Sequence, residues 1–179
     1  LSAKIQGGVI VTHEEFEKAA GYWKKKDAAG KKMDRGTLTA AMETYIQAHN
    51  TCALATGAGT FVRCTPIEYS WHDGAFWIFS EGGLKFFALE RNKNVCLAIY
   101  DPYEGFGKLN GMQVTGTVEI VEPFCNEYLK AATFKKIPLE ALMKLPSPIH
   151  LIKMTPKHID FLSSAFQKQG FDCRQSMEF

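Results

Sequence analysis

The period of the apolar positions changes several times along the chain, and each change marks an element. Thr12-His13-Glu14-Glu15 reads as a capping box, followed by Phe16, Ala19, Ala20 and Trp23 at helical spacing. Gly30 and the lysines around it end that helix. A second helix is predicted after Asp34, with Leu38, Ala41, Met42, Tyr45 and Ile46 on one face and Asn50 placed to stop it. From Thr51 the period becomes that of a strand. Residues 51–56 form one strand and Gly57-Ala58-Gly59 a turn, and residues 61–71 and 75–80 are joined at Asp73-Gly74, a strong hairpin signal. Residues 84–91 predict a short helix whose Leu84, Phe87, Ala88 and Arg91 face mostly inward, and residues 95–100 a nearly all-apolar strand.

Residues 112–121 show the clearest alternation. Val114, Gly116, Val118 and Ile120 point one way, and Gln113, Thr115, Thr117 and Glu119 the other. A helical region follows Pro123, broken at Pro138 and ended near Pro146. Residues 149–154 are the last predicted strand, followed by residues 156–162 and an irregular tail. Five or six hairpin-linked strands with helices outside predict an α+β protein built on a small antiparallel barrel. No βαβ alternation or dinucleotide fingerprint points to a Rossmann fold.

Composition narrows the classes only a little. At 179 residues the chain suits one domain with a sizeable core: N-terminal helices over 1–49, barrel strands over 50–121, and helices, last strand and tail over 122–179. A net charge of +2 selects no partner, and the basic stretch Lys24-Lys25-Lys26 with Lys31-Lys32 has acidic flanks, so nucleic acid is not expected. No run of about 20 apolar residues suggests a membrane span. Leu1-Ser2-Ala3-Lys4-Ile5 lacks the layout of a secretory signal. Five scattered cysteines (52, 64, 96, 125, 173) contain no Cys-x-x-Cys pair, which predicts reduced thiols and a cytoplasmic location. The histidines at 13, 49, 72, 150 and 158 show no ligand spacing, and no metal is expected. Trp71, Trp77 and Phe79 read most simply as barrel-core aromatics.

Two segments carry candidate chemistry. Arg63-Cys64-Thr65-Pro66 places an arginine on a strand, and Ser80-Glu81-Gly82-Gly83-Leu84-Lys85 is a glycine-rich turn opening a helix. The Asp73-Gly74 hairpin folds the two together. Arg63 would offer a forked anion partner, Lys85 a point charge, and the turn its free N–H groups. Taken alone, the turn is equally a helix cap. Together the two segments point to a phosphate, provided Glu81 faces solvent.

In order and spacing these segments resemble the pyridoxamine-phosphate-oxidase-like family of FMN-binding split barrels, in its broad uncharacterised branch. The resemblance spans about residues 50–121, and continues weakly from Pro156 to Leu162. It implies a split antiparallel barrel of Greek-key type with about six strands, FMN as cofactor, and a homodimer with the cofactor at its interface. It further supports Arg63 as a phosphate ligand and adds main-chain contacts from Arg63, Cys64 and Thr65 to the flavin ring, with Pro66 also counted among the cofactor-binding residues. Ser80 and Lys85 match positions that bind the FMN phosphate and ribityl chain, with Gly83 and Leu84 between them also expected at the cofactor. Gln113 would meet the ring edge, frequently across the dimer, although as a residue it reads equally as an exposed polar strand position. The tail departs from the true oxidases: Arg174 is the one counterpart of their substrate-gripping residues, and the partner histidine is missing.

The expectation is a flavin-dependent oxidoreductase acting on a small molecule or electron donor, with no catalytic side chain identifiable. The alternatives are a flavin-binding electron carrier without a dedicated substrate, or the same barrel holding haem or a deazaflavin, where His150 or His158 would matter.

Overall fold

The structure, a computed structural model, describes residues 12–179. The segment read for a targeting signal lies outside the described residues. Thr12 caps α1 (His13–Ala20) with a reciprocal box: Glu15 N donates to Thr12 Oγ1 at 3.2 Å, and Thr12 N to Glu15 Oε2 at 2.7 Å. Gly21 then separates α1 from α2 (Tyr22–Ala29), so the single helix expected here is two. Asp34 caps α3 (Arg35–Ala48) by accepting from Thr37 N at 3.0 Å, and α3 buries Leu38, Met42 and Ile46 against the barrel.

Eight strands form one antiparallel sheet curled into a split barrel. They are β1 (Thr51–Ala58), β2 (Phe61–Glu68), β3 (Ser70–His72), β4 (Ala75–Ser80), β5 (Asn94–Tyr100), β6 (Asn110–Val121), β7 (His150–Ser163) and β8 (Arg174–Glu178). The order is β2-β1-β5-β6-β7-β4-β3, and β8 also pairs with β7. Tyr69 divides the expected strand over 61–71 into β2 and β3. Asp73 and Gly74 both adopt positive φ (52° and 69°), the geometry of a two-residue hairpin turn. Four further short α-helices lie among the described residues: α4 (Lys85–Arg91), α5 (Asn126–Phe134), α6 (Leu139–Met143) and α7 (Ala165–Lys168).

Alternation along the strands builds two cores. Leu54, Phe76, Ile78, Leu97, Val114, Ile152 and Met154 fill the barrel. Trp77, Tyr128, Ala131, Leu142 and Leu151 form the second core, beneath α5 and α6, with Phe79 packed against it. Of the three aromatics expected in the barrel, Trp71 packs on its core, while Trp77 and Phe79 fall on the opposite face.

The C-terminal third differs most from the sequence reading. The last expected strand, residues 149–154, continues through Pro156 to Ser163 as β7, and the tail supplies β8. Pro156 is tolerated because the register against β6 shifts there. Thr115 pairs with His158 and Gly116 with Pro156, leaving Lys157 as the extra residue of a bulge.

Gln175 ties the tail to the helices. It is fully buried, accepts from Met33 N at 3.0 Å, and donates to Asp172 O at 2.7 Å and Lys31 O at 3.2 Å. Gln175→Ala leaves these backbone groups without partners. We expect it to cost about 2 kcal/mol in chemical denaturation, with no rescue by Gln175→Leu.

Candidate functional site

The expected hairpin does not bring Arg63 and Lys85 together: its ladder ends at the Ser70–Trp77 pair, and β2 lies at the opposite end of the sheet order from β3 and β4. α4 (Lys85–Arg91) does so by packing on β1 and β2, close enough for the Arg63 charge to act on Lys85. On β2, Arg63 pairs with Thr56 and Thr65 with Leu54, so both side chains share the face of β1 that turns inward. Because β2 is the edge of the sheet, one side of its main chain is free of strand partners. α4 closes the barrel beside β1 and β2. Its buried residues are Lys85, Ala88 and Leu89, while Leu84 and Phe87 stay exposed. The inward face expected for this helix is therefore rotated, and the buried set includes the lysine. Leu84 precedes the helix as its cap residue.

Lys85 is 6% exposed. Burial and then the charge of Arg63 hold its ammonium below the usual lysine range. Its hydrogen-bond partner is the Gly82 carbonyl. Gly82 and Gly83 take φ of 138° and 102°, values closed to most side chains, and this lets the turn fold back over the lysine. Ser80 Oγ donates to Gly82 O at 3.3 Å and accepts from Gly82 N at 3.2 Å. Glu81 is exposed, as an anion site at this turn requires.

Thr65 Oγ1 is buried with no hydrogen-bond partner, an orphan on the same face as Arg63. The sequence reading missed His150 as a neighbour of this turn. It pairs with Ser80 across β4 and β7, and its ring lies 4.7 Å from that of Phe86. No local signal announces that pairing, because it joins segments 70 residues apart (150 minus 80).

Gln113 does not join this group within one chain. Register runs from Cys64 to Ala55, on to Cys96 and then to Thr115, so Gln113 shares a face with Cys64 and not with Arg63. Three strand spacings, roughly 14 Å, separate Gln113 from β2. Arg174 is committed elsewhere. Its Nη2 lies 3.2 Å from Asp160 Oδ2, and its Nε 3.2 Å from Asp27 Oδ2, a charge contact not aligned as a hydrogen bond. Among the described residues, no group of three His, Cys, Asp or Glu side chains could hold a metal, and no helix is long and apolar enough to cross a membrane.

A family model described as pyridoxamine 5'-phosphate oxidase matches residues 38–163, which include every one of the candidate cofactor-binding residues. The chain belongs to this family. The matched region excludes α1, α2 and the tail with Arg174. No curated protein matches the chain. Solved structures share the fold at low identity. A FAD-binding protein from Mesorhizobium loti is 15% identical with a TM-score of 0.55, covering 68% of this chain and 89% of its own. HutZ, the haem storage protein of Vibrio cholerae, is 13% identical with a TM-score of 0.55, covering 65% and 88%. A haem-binding protein from Mycobacterium smegmatis is 17% identical with a TM-score of 0.57, covering 78% and 57%. The split-barrel fold thus hosts both flavin-binding and haem-binding proteins.

Proposed function

We propose that the protein is an FMN-binding flavoprotein, a homodimer that works as a flavin-dependent oxidoreductase on a small molecule. One observation supports this above the others: a buried ammonium, Lys85, lies beside a second cation, Arg63, and burial and like charge together disfavour it. Such a pair is stabilised by an anion between its members. The orphan hydroxyl of Thr65 and the free edge of β2 supply further donors and acceptors of the kind a phosphorylated flavin needs. Arg63 and Lys85 would hold the phosphate with backbone N–H groups of residues 80–85, and Cys64, Thr65 and Pro66 would border the ring. FMN, when bound, supplies hydride acceptance and delivery.

The position of Gln113 is the reason for two copies. It lies across the sheet from the Arg63 face of its own chain, so it would complete the site of a second copy. Its amide both donates and accepts, which suits a ring edge.

Haem is the competing ligand, since HutZ and the Mycobacterium smegmatis protein share the fold. Both nitrogens of His158 face carboxylates, Glu178 Oε1 at 2.7 Å and Asp160 Oδ2 at 3.2 Å. Of the two histidines considered as axial ligands, His150 is then the freer.

The visible spectrum of the purified protein, with chromatography of any ligand released by heat, tests the assignment. A flavin band with FMN released is the expected result. A Soret band, or a colourless protein that refuses added FMN, would overturn it. Sedimentation of the FMN-loaded protein should give a dimer, and a loaded monomer would remove the role given to Gln113.

A further inference from the structure

On the face that bears Gln113, a cleft of about 230 Å³ opens among Ala98, Tyr100, Gln113, Asp160, Leu162 and Arg174. Its volume is below the few hundred Å³ usual for drug-sized ligands, so it suits a single ring. Ala98 and Leu162 give apolar walls, Tyr100 an exposed aromatic face, and Gln113 an exposed amide.

The charges of the cleft are already matched. Arg174 faces two carboxylates, Asp160 and Asp27, each at 3.2 Å, and its guanidinium lies 5.3 Å from the Trp23 ring. Lys32 approaches Asp27 at 3.9 Å and donates to Arg174 O at 3.3 Å. His158 bridges Asp160 and Glu178. A phosphate entering here would have to displace carboxylates from Arg174 while lying next to them. An uncharged ring meets no such opposition, and Gln113 can both donate to it and accept from it.

We propose that this cleft is the substrate subsite, and that it takes an uncharged one-ring aromatic compound while rejecting phosphate esters. In calling the ligand a substrate the proposal rests on the flavoprotein reading and on the dimer, in which Gln113 would lie at the flavin edge of the second copy and border this cleft; the selectivity belongs to the cleft itself.

The test uses 4-nitrobenzyl alcohol and 4-nitrobenzyl phosphate as matched probes, titrated into FMN-saturated protein and followed by the NMR signals of the Gln113 side-chain amide. The alcohol should shift them saturably, and the ester should bind at least about tenfold more weakly. Asp160→Asn, which releases part of the Arg174 charge, should narrow that gap by about tenfold. Asp27→Asn acts on the same arginine from α2 and serves if the first variant misfolds. An ester that binds the parent protein as well as the alcohol does overturns the proposal. So does a Gln113 signal that neither probe moves. Failure to take up FMN, read by absorbance before the titration, would count against the cofactor and leave the alcohol–ester comparison to be made on the same protein.

Discussion

Replacing both Arg63 and Lys85 by alanine is expected to weaken FMN binding by roughly two to four orders of magnitude in Kd. Each charge-assisted contact contributes about 1.5–3 kcal/mol, and two are lost. Flavin fluorescence titration measures this directly, and an unchanged Kd would remove the phosphate site. The protein without ligand should respond in the opposite sense. Lys85→Met removes a buried cation from beside another, so stability to urea should rise or hold while FMN affinity falls.

The pH dependence of the ligand-free protein follows from the same residue. Burial and Arg63 lower the Lys85 pKa in the folded state from its ordinary 10.5. Between the lowered value and 10.5 the unfolded chain binds more protons than the native one, so this group's contribution to stability improves as pH rises. Below that window its full penalty applies. The alkaline gain should be absent from Lys85→Met, and its persistence there would assign the gain to another group.

Gly116→Ala is the second large effect expected, this time on the fold. A Cβ at position 116 would run into the Thr155 carbonyl oxygen, which is backbone and cannot swing away, and would also crowd the Met154 methyl at 2.8 Å. The residue sits where β6 meets the β7 bulge, so relief requires parting the strands at the centre of the barrel. A cost of about 3 kcal/mol is expected, the upper part of the range for overpacking. For a chain of this size that lowers Tm by roughly 6–12 °C. Gly107→Ala is the control: no atom lies within 4 Å of its added Cβ, and Tm should barely move. A variant at position 116 that melts like its parent would mean that β6 and β7 are not held this closely.

The legible parts of the fold are those written in local pattern. Alternation over 112–121 marked β6 and most of its inward face: Val114, Gly116 and Val118 are buried, whereas Ile120, expected with them, is exposed and Val121 is buried in the second core. The Asp73-Gly74 turn was readable because few residue pairs adopt two positive φ values in succession. Arg63 and Lys85 were readable as candidate cations, but not the way they meet, because β2 and β4 lie at opposite ends of the sheet order and α4 brings the lysine to β2. What escaped was set by distant segments. β8 is a strand because β7 offers it an edge, and Pro156 ends no strand because the bulge opposite Gly116 accommodates it. The buried face of α4 depends on how the helix lies over β1, and its short sequence permits either rotation.

The sequence by itself determined the α+β class, the core strands, the hairpin turns and the residue types able to hold an anion. Each depends on side-chain periodicity or on the backbone preferences of Gly, Pro and Asp, which act over a few residues. Tertiary structure alone decided that Lys85 is buried beside Arg63, that Arg174 is neutralised by Asp27 and Asp160, and that Gln113 faces away from the cation pair. Charge state and facing depend on which strands become neighbours, and that is settled by packing the whole barrel rather than by any segment of it.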